Sequence, residues 1–350
     1  LQTANTFLKD TIHPDFVANV GDLTEDDTMA EWSFMYDTIG DIYASTLTAF
    51  APGNHESKGD VVYTHFKGRT NLPDGIDDAM LAESTSAFIV GDVCFITLNT
   101  EPYTGIDGAN AQNDKMNFYQ MQKEWAKEIF ESSGCNWRII LGHAGLVQKD
   151  PEATAFLEQM CDELDVDLFF NGHIHNYFRA TVDGEGNAKE LGEATTFITI
   201  SPMGPKFDDY GGEIDDILQF QTGGISDPRQ YLAHVEVAEG SITVTVYQRA
   251  SSAAASKASC SVYNVVDSFT LEKEVKSPEK TSDDVTEPAV PDATTVPQQN
   301  EPKPKPADPS PAPEPAQKGR TGLWICLGIL TIAVIILVAA IIRYRKKIAK

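Results

Sequence analysis

The stretch "FFNGHIHNYFR" (residues 169–179) places two histidines one residue apart, directly after an apolar run. In an extended chain, residues i and i+2 point to the same face, so His173 and His175 are expected to reach one small volume. This spacing is common among metal ligands, but two solvated histidines at a strand end would explain the stretch equally well by itself. The rest of the chain has to decide between these two interpretations.

Three further segments place polar side chains directly after an apolar run. These side chains are Asp22 after "DFVANVG", Asn54, His55 and Glu56 after "LTAFAPG", and His143 after "WRIILG". A glycine precedes each of the four groups and allows a tight turn there: Gly21, Gly53, Gly142 and Gly172. Because loops at the carboxyl ends of strands converge in α/β folds, the four groups are predicted to meet in one crevice.

The order GD…GNHE…GH…GHIH resembles that of the calcineurin-like metallophosphoesterases, and "GHIHNYFR" is similar to the end motif of their purple acid phosphatase branch. The resemblance implies an α+β fold, arranged as an α/β/β/α four-layer sandwich, with a dinuclear metal centre. It implies that Asp22 bridges both metals and that His175 binds one of them. The ligands of the other metal would be Asn54, His143 and His173. His55 would lie outside the metal shell and donate a proton or stabilise the transition state.

The chain departs from the family pattern at three places. No Asp upstream of Asp22 fits the opening DxG-type motif, so we expect a fragment that is incomplete at the His175 metal. Glu25 occupies the position of the tyrosine that colours the purple enzymes. The metal pair is therefore left open: iron with zinc, manganese or a second iron, or two divalent ions. The histidines that follow the His143 motif in plant members are absent from "GHAGLVQKDPEA", so pH optimum and substrate range are not inherited.

These residue types suit the hydrolysis of phosphoric esters. The reaction needs an in-line nucleophile and neutralised phosphate oxygens, and two metals about 3.5–4 Å apart supply both, including a hydroxide at neutral pH. With His55 assisting, the sequence predicts a phosphomonoesterase, similar to an acid phosphatase, that acts on small phosphorylated substrates. A phosphodiesterase or nucleotidase is one alternative. A non-enzymatic surface module on a stalk, with a degenerate metal site, is another.

The chain divides into four regions by composition. Residues 1–276 alternate strand-like and helical patterns and form the predicted catalytic domain, whereas residues 277–321 are Pro-rich and predict a disordered stalk. Residues 322–342, "GLWICLGILTIAVIILVAAII", carry no charge and are long enough to cross a bilayer. The basic residues 343–350, "RYRKKIAK", then predict a cytoplasmic tail, a single-pass protein of the cell membrane and an extracellular catalytic domain.

Nine strands and three helices are predicted within residues 1–276. The strands are "DFVANV", "LTAFAP", "AFIV", "VCFITLN", "WRIILG", "VDLFFN", "TFITIS", "YLAHVEV" and "SITVTVYQ". The helices are "DDTMAEWSFMYDTIGDIYAST", "NFYQMQKEWAKEIFES" and "EATAFLEQMCDEL". Their aromatic residues Trp32, Phe34, Tyr36 and Trp125 are expected in the core.

The remaining expectations concern charge and the surroundings of the site. The net charge of −25 repels nucleic-acid backbones and argues against a nucleic-acid partner. Glu56 and Arg179 are expected to support the framework rather than to react. The polar loops "GPKFDDYGGEIDD" (residues 204–216) and "EPYTGIDGANAQND" (residues 101–114) are expected to shape the substrate mouth. The oligomeric state is left open.

Overall fold

The structure is a computed structural model of the 350-residue chain. It describes residues 2–58, 84–101, 111–148, 150–201, 203, 206–207, 212, 214–225, 227–249 and 262–274, with only the backbone for residues 2–3 and 111–114. All of these residues belong to one compact unit, Leu1–Lys280. The predicted stalk, membrane span and tail lie outside the described residues. Within the described part, no helix is both long and apolar enough to span a bilayer.

The described residues form twelve strands, grouped in three sheets. They are β1 (Phe16–Asn19), β2 (Leu47–Phe50), β3 (Ser86–Val90), β4 (Val93–Thr97), β5 (Trp137–Leu141), β6 (Leu168–Asn171), β7 (Tyr177–Val182), β8 (Thr195–Thr199), β9 (Leu218–Thr222), β10 (Tyr231–Ala238), β11 (Ser241–Arg249) and β12 (Tyr263–Glu272). The largest sheet has the order β3-β4-β5-β6-β8-β7-β9, and β4, β5, β6 and β8 run parallel in it. A parallel pair β1-β2 and an antiparallel sheet β10-β11-β12 complete the set.

The two smaller sheets pack on one face of the seven-stranded sheet. Alternate residues of its strands, such as Phe95, Ile139 and Phe170, share a buried core with Ala49 of β2 and Val244 of β11. The intervening residues of the same strands face the other way, because side chains alternate across a strand. The large sheet is therefore buried on both faces.

Helices cover the two outer faces. The helices are α1 (Gln2–Phe7), α2 (Met29–Ser45), α3 (Ala111–Ser133) and α4 (Pro151–Glu163). Helices α3 and α4 pack on the free face of the large sheet, whereas α2 packs on β2 through Trp32 and Phe50. Phe7 of α1 contacts Tyr247 and Tyr263 of the three-stranded sheet. The result is a mixed α/β arrangement with helix, sheet, sheet and helix in successive layers, as the resemblance noted above implies.

Side-chain caps mark the starts of α2 and α4, whereas α3 begins at Ala111, six residues before the predicted segment. Thr28 caps α2 by accepting a hydrogen bond from the Glu31 backbone N–H, and the Glu31 carboxylate accepts one from the Thr28 N–H in return. Asp150 caps α4 by accepting a hydrogen bond from the Ala153 backbone N–H, and Pro151 occupies the first turn of this helix. Such caps fix where each helix starts and so fix which residues face the core.

All nine predicted strands and all three predicted helices are present. Sequence reasoning missed three strands, β7, β9 and β12. It was also wrong about part of the aromatic set. Trp32 and Trp125 are buried, but Phe34 is 70% exposed and Tyr36 lies at the surface. On α2 the buried positions are 32, 35, 39 and 42, so positions 34 and 36 point away from the core.

One ion pair connects the large sheet to the three-stranded sheet. Asp267 of β12 accepts hydrogen bonds from Arg179 Nε at 3.0 Å and from the Tyr177 hydroxyl at 2.6 Å, both on β7. The Arg179 guanidinium also lies over the Phe269 ring, 4.5 Å from its centre. Arg179 therefore supports the framework, as expected from the sequence.

We predict that Asp267→Ala destabilises the protein by about 1–3 kcal/mol, because it removes the carboxylate that accepts from the partly buried Arg179 guanidinium and from the Tyr177 hydroxyl. The matched control is Glu131→Ala, which removes an exposed carboxylate 3.9 Å from Lys127 on α3 and should cost less than about 0.5 kcal/mol. Urea unfolding of the three proteins measures both effects. Similar midpoints for the two variants would contradict the structural role of Asp267.

Candidate metal centre

Four of the predicted ligand side chains meet at one point. Asn54 Oδ1 lies 3.0 Å from His143 Nε2 and 3.0 Å from His173 Nδ1. The two imidazole nitrogens lie 3.3 Å apart, and Asp22 Oδ2 is 3.3 Å from His143 Nε2. The predicted convergence of four sequence-distant loops is thus observed for these four residues.

The turn that carries Asp22 is built by the residues that end β1. Asn19 Oδ1 accepts a hydrogen bond from Gly21 N at 2.8 Å and closes a tight turn. Gly21 has φ +99° and Asp22 has φ +56°, both in the left-handed region. His173 has φ +65° at the end of β6. Asp tolerates this conformation better than most residues, and the site holds both ligands in it.

Two glycines allow the ligand loops to touch. A Cβ on Gly53 would overlap Asp22 Oδ1 and lie 2.5 Å from Asp22 N. A Cβ on Gly21 would lie 2.5 Å from His143 Nδ1 and 2.8 Å from the Gly53 backbone. The backbone of each loop therefore occupies the space that a side chain on the other would need.

His143 is oriented through its second ring nitrogen. Its Nδ1 lies 2.7 Å from the Val20 carbonyl oxygen, which can only accept, so Nδ1 carries a proton and Nε2 is the ring nitrogen that faces the site. Thr100 Oγ1 accepts hydrogen bonds from the backbone N–H groups of His143 and Ala144, at 3.0 and 2.8 Å. A backbone carbonyl and a threonine thus fix the tautomer and the loop.

Asp22 and His143 perturb each other. Burial by itself raises the pKa of Asp22, but the hydrogen bond and charge of His143, with the His55 backbone N–H, outweigh it and lower the pKa to about 2. Burial by itself lowers the pKa of His143. The Asp22 carboxylate outweighs this effect, so the pKa of His143 is raised. Asp22 is therefore a carboxylate at neutral pH, as a metal ligand must be.

The donor set fits a transition-metal ion. The His, Cys, Asp and Glu side chains of the described residues form no group of three or more that could hold a metal by themselves. The Asn54 oxygen completes the donor set, since it lies within 3.0 Å of both His143 Nε2 and His173 Nδ1. Ligand atoms about 2.1 Å from a cation lie about 3.0 Å apart at right angles and about 3.4 Å apart in a tetrahedron. The observed separations of 3.0 to 3.3 Å agree with this range.

The fifth predicted ligand, His175, is buried in the connection between β6 and β7, with its Nδ1 atom shielded from solvent. The four donors above suit a single cation. A second metal at His175, and the individual ligand roles of all five residues, stay predictions.

His55 lies beside the four donors rather than among them. Its backbone N–H donates to Asp22 Oδ1 at 3.1 Å, and its ring nitrogen Nε2 is 3.9 Å from Asp22 Oδ2. Its Nδ1 is 2.7 Å from the Glu25 carbonyl oxygen, so Nδ1 carries a proton and Nε2 faces the site. The Glu25 side chain is exposed, with Oε1 3.4 Å from the same Nδ1. Glu25 thus contacts His55.

Glu56 holds the Asp22 loop and the Gly53 loop together. Its carboxylate, 1% exposed, accepts hydrogen bonds from the backbone N–H groups of Asp22, Gly53 and Thr24 at 2.8 to 2.9 Å, and from the Thr24 hydroxyl at 2.9 Å. Charge-assisted bonds of this kind are about twice as strong as neutral ones. The sequence predicted a framework role for Glu56 but not these partners.

Sequence reasoning missed two residues that contact the site. Thr100 supports the His143 loop, and a threonine three residues past a strand carries no recognisable signal. Lys206 places Nζ 3.3 Å from His55 Nε2. It falls within the loop that was expected to shape the substrate mouth, although nothing in the sequence singled it out.

Comparisons with known proteins agree with this geometry. The sequence model of the calcineurin-like phosphoesterases matches residues 1–177, which include all the predicted ligands. The chain therefore belongs to the calcineurin-like phosphoesterase family, a class of hydrolases, and the family implies a dinuclear metal centre. No curated protein sequence matches the chain.

Several solved structures share the fold. The purple acid phosphatase PPD1 from yellow lupin seeds is 16% identical, with 77% of this chain and 48% of that chain covered at a TM-score of 0.52. GAP50, the anchor in the inner membrane complex of Plasmodium, is 13% identical, with coverage of 79% and 84% and a TM-score of 0.53. PhoD is 12% identical, with coverage of 79% and 70% and a TM-score of 0.50. The chain spans about half the length of the lupin phosphatase.

We predict that Gly53→Ala prevents the two loops from closing and lowers the metal content of the purified protein at least severalfold, because the added Cβ overlaps Asp22. Gly40→Ala on α2 is the control. Its Cβ would come no closer than 3.8 Å to another atom, and alanine should stabilise the helix by about 0.5–1 kcal/mol. Elemental analysis and thermal unfolding measure both effects. Full metal content in the Gly53 variant would contradict the close-approach argument.

We also predict that Glu56→Gln destabilises the protein by about 1–3 kcal/mol, because the new amide nitrogen cannot accept from the backbone N–H groups it faces. Glu56→Ala should cost at least as much. Glu128→Gln, at an exposed position of α3, removes the same charge and should be neutral. Denaturant unfolding distinguishes these cases. If Glu56→Gln matched Glu128→Gln, the carboxylate would not be joining the loops.

Proposed function

We propose that this chain is a metal-dependent phosphomonoesterase. The observation that carries the proposal is the convergence of Asp22 Oδ2, Asn54 Oδ1, His143 Nε2 and His173 Nδ1, with His55 Nε2 beside them. Membership of the calcineurin-like phosphoesterases supports phosphoester hydrolysis as the reaction class. Small phosphorylated molecules are the proposed substrates.

The proposed metals are iron with zinc, manganese or a second iron. Asp22, Asn54, His143 and His173 would hold one ion, and His175 would contribute to the second. When bound, such ions neutralise phosphate oxygens and make hydroxide available near neutral pH. The carboxylate of Asp22 is ionised and Nε2 of His143 is directed inward, so both are positioned to bind a cation.

His55 is the proposed proton donor. The Glu25 carbonyl accepts from Nδ1–H and fixes the ring with Nε2 on the side of Asp22, so a proton carried on Nε2 would face the site. In the reaction Nε2 would give this proton to the leaving-group oxygen as the ester bond breaks, and water would return it. Lys58 keeps the supporting loop in place by donating to the Glu25 carbonyl at 2.6 Å and to Asp26 Oδ1 at 3.0 Å.

We further propose that the enzyme is held at the outer face of a cell membrane. The uncharged run at residues 322–342, the basic tail at 343–350 and the Pro-rich residues 277–321 support a single-pass anchor with a stalk. Microscopy of the full chain with a C-terminal tag tests the orientation: an antibody should reach the tag only in permeabilised cells.

An anchoring role without catalysis is the second candidate. It is favoured by the likeness to GAP50, the anchor in the inner membrane complex of Plasmodium, of which 84% is covered. A phosphodiesterase or nucleotidase activity that uses the same residues is a third candidate function, because one metal core can support the hydrolysis of several ester classes. Turnover of monoesters, of diesters or of neither separates the three.

We predict that Asn54→Ala lowers both metal content and activity, whereas His55→Ala keeps the metal and lowers turnover about 100-fold. The loss in the His55 variant should be smaller for aryl phosphates than for alkyl phosphates, because an aryl leaving group needs no proton. His234→Ala, a histidine on β10, is the control and should behave as wild type. Elemental analysis and steady-state kinetics on both ester types are the measurements. Equal losses on the two would remove the proton-donor role.

A further inference from the structure

Lys206 brings a positive charge to the reacting side of His55. It follows β8 in the chain and is exposed, and its Nζ lies 3.3 Å from His55 Nε2. Asp22 Oδ2 lies 3.9 Å from the same ring nitrogen. The ammonium therefore borders the space between His55 and the ligand cluster, where a substrate phosphate would lie.

The two lysines near His55 have different surroundings. Lys58 approaches the opposite nitrogen, Nδ1, and donates to the Glu25 carbonyl and to Asp26. Lys58 therefore stabilises the loop that contains Glu25 and Asp26. Lys206 approaches Nε2, which can accept one hydrogen bond, whereas an ammonium carries three donors. Its donors thus suffice for His55 and for a further acceptor in the site.

We propose that Lys206 binds a terminal phosphoryl oxygen of the substrate and makes the site selective for phosphomonoesters over diesters. This inference rests on the proposed function and specifies its substrate class. A monoester carries close to two negative charges at neutral pH, since its second pKa is about 6, whereas a diester carries one. An added ammonium therefore stabilises the bound monoester more than the diester.

The net negative charge of the whole chain makes a positive charge at residue 206 more important for binding an anionic substrate. With a net charge of −25, the protein repels anionic substrates at a distance. Asp22 and the exposed Glu25 add negative charge next to His55. A lysine at the site offsets this repulsion where the phosphate binds, and it does so without occupying a metal position.

The test uses the metal-loaded full chain and three lysine variants. Lys206→Ala removes the proposed contact, Lys206→Arg keeps the charge, and Lys127→Ala removes an exposed lysine of α3 as the matched control. The substrates are 4-nitrophenyl phosphate and bis(4-nitrophenyl) phosphate, which share a leaving group. Calorimetric binding of inorganic phosphate gives a readout that does not require turnover.

In Lys206→Ala we expect kcat/KM for the monoester and the affinity for phosphate each to fall about 10- to 100-fold, the scale of one lost charged hydrogen bond. For the diester, kcat/KM should fall about threefold at most, because the diester carries less negative charge than the monoester. Lys206→Arg should recover most of the loss, and Lys127→Ala should match wild type. Thermal unfolding should be unchanged, since Lys206 is exposed.

Three results would overturn the inference: unchanged phosphate affinity in Lys206→Ala, equal losses on the two esters, or the same loss in Lys127→Ala. Failure of the proposed function looks different. A wild-type chain that hydrolyses neither ester would reject that function, and weaker phosphate binding by Lys206→Ala would still support Lys206 as a phosphate ligand.

Discussion

The carboxylate of Glu56 is the point on which the centre depends. It accepts hydrogen bonds from three backbone N–H groups and one hydroxyl on two loops, one with Asp22 and Thr24 and the other with Gly53. Burying a carboxylate without such donors would cost several kcal/mol. These hydrogen bonds therefore stabilise the closed arrangement of the two loops around Glu56. Gly21 and Gly53 make that closure sterically possible. Without it, Asp22 would not reach His143.

The layered fold then brings the remaining ligands to the same place. Asp22 and Asn54 follow β1 and β2, which form the two-stranded sheet. His143 and His173 follow β5 and β6 of the large sheet. The centre therefore lies between two sheets, and its geometry depends on how they pack. The apolar core that Ala49 of β2 shares with Phe95 and Ile139 of the large sheet holds that packing. Catalytic geometry and global stability are coupled through the same interface.

The sequence predicted what depends on local pattern. Strands with apolar cores and polar ends were recognised, and so were the ligand residues at those ends. Strands β7, β9 and β12 were missed: β7 lay inside a motif read for its chemistry, and "LQFQT" of β9 alternates with polar residues. The exposure of Phe34 depends on which side of α2 meets β2. The partners of Glu56, Thr100 and Lys206 are set by tertiary contacts across 32 to 151 residues, which no local pattern records.

The residues that shape the centre are distinct from those that supply its donor atoms. Glu56, Gly21, Gly53, Thr100 and the Val20 carbonyl act on the backbone or on the far side of a ring. Asn54 can therefore be exchanged for another oxygen, nitrogen or sulfur donor while the loops keep their paths, whereas His173, at φ +65°, accepts fewer replacements. Hard and soft cations differ in the donor atoms they prefer. A chain built in this way can change its preferred element by a few side-chain replacements, with its architecture left intact.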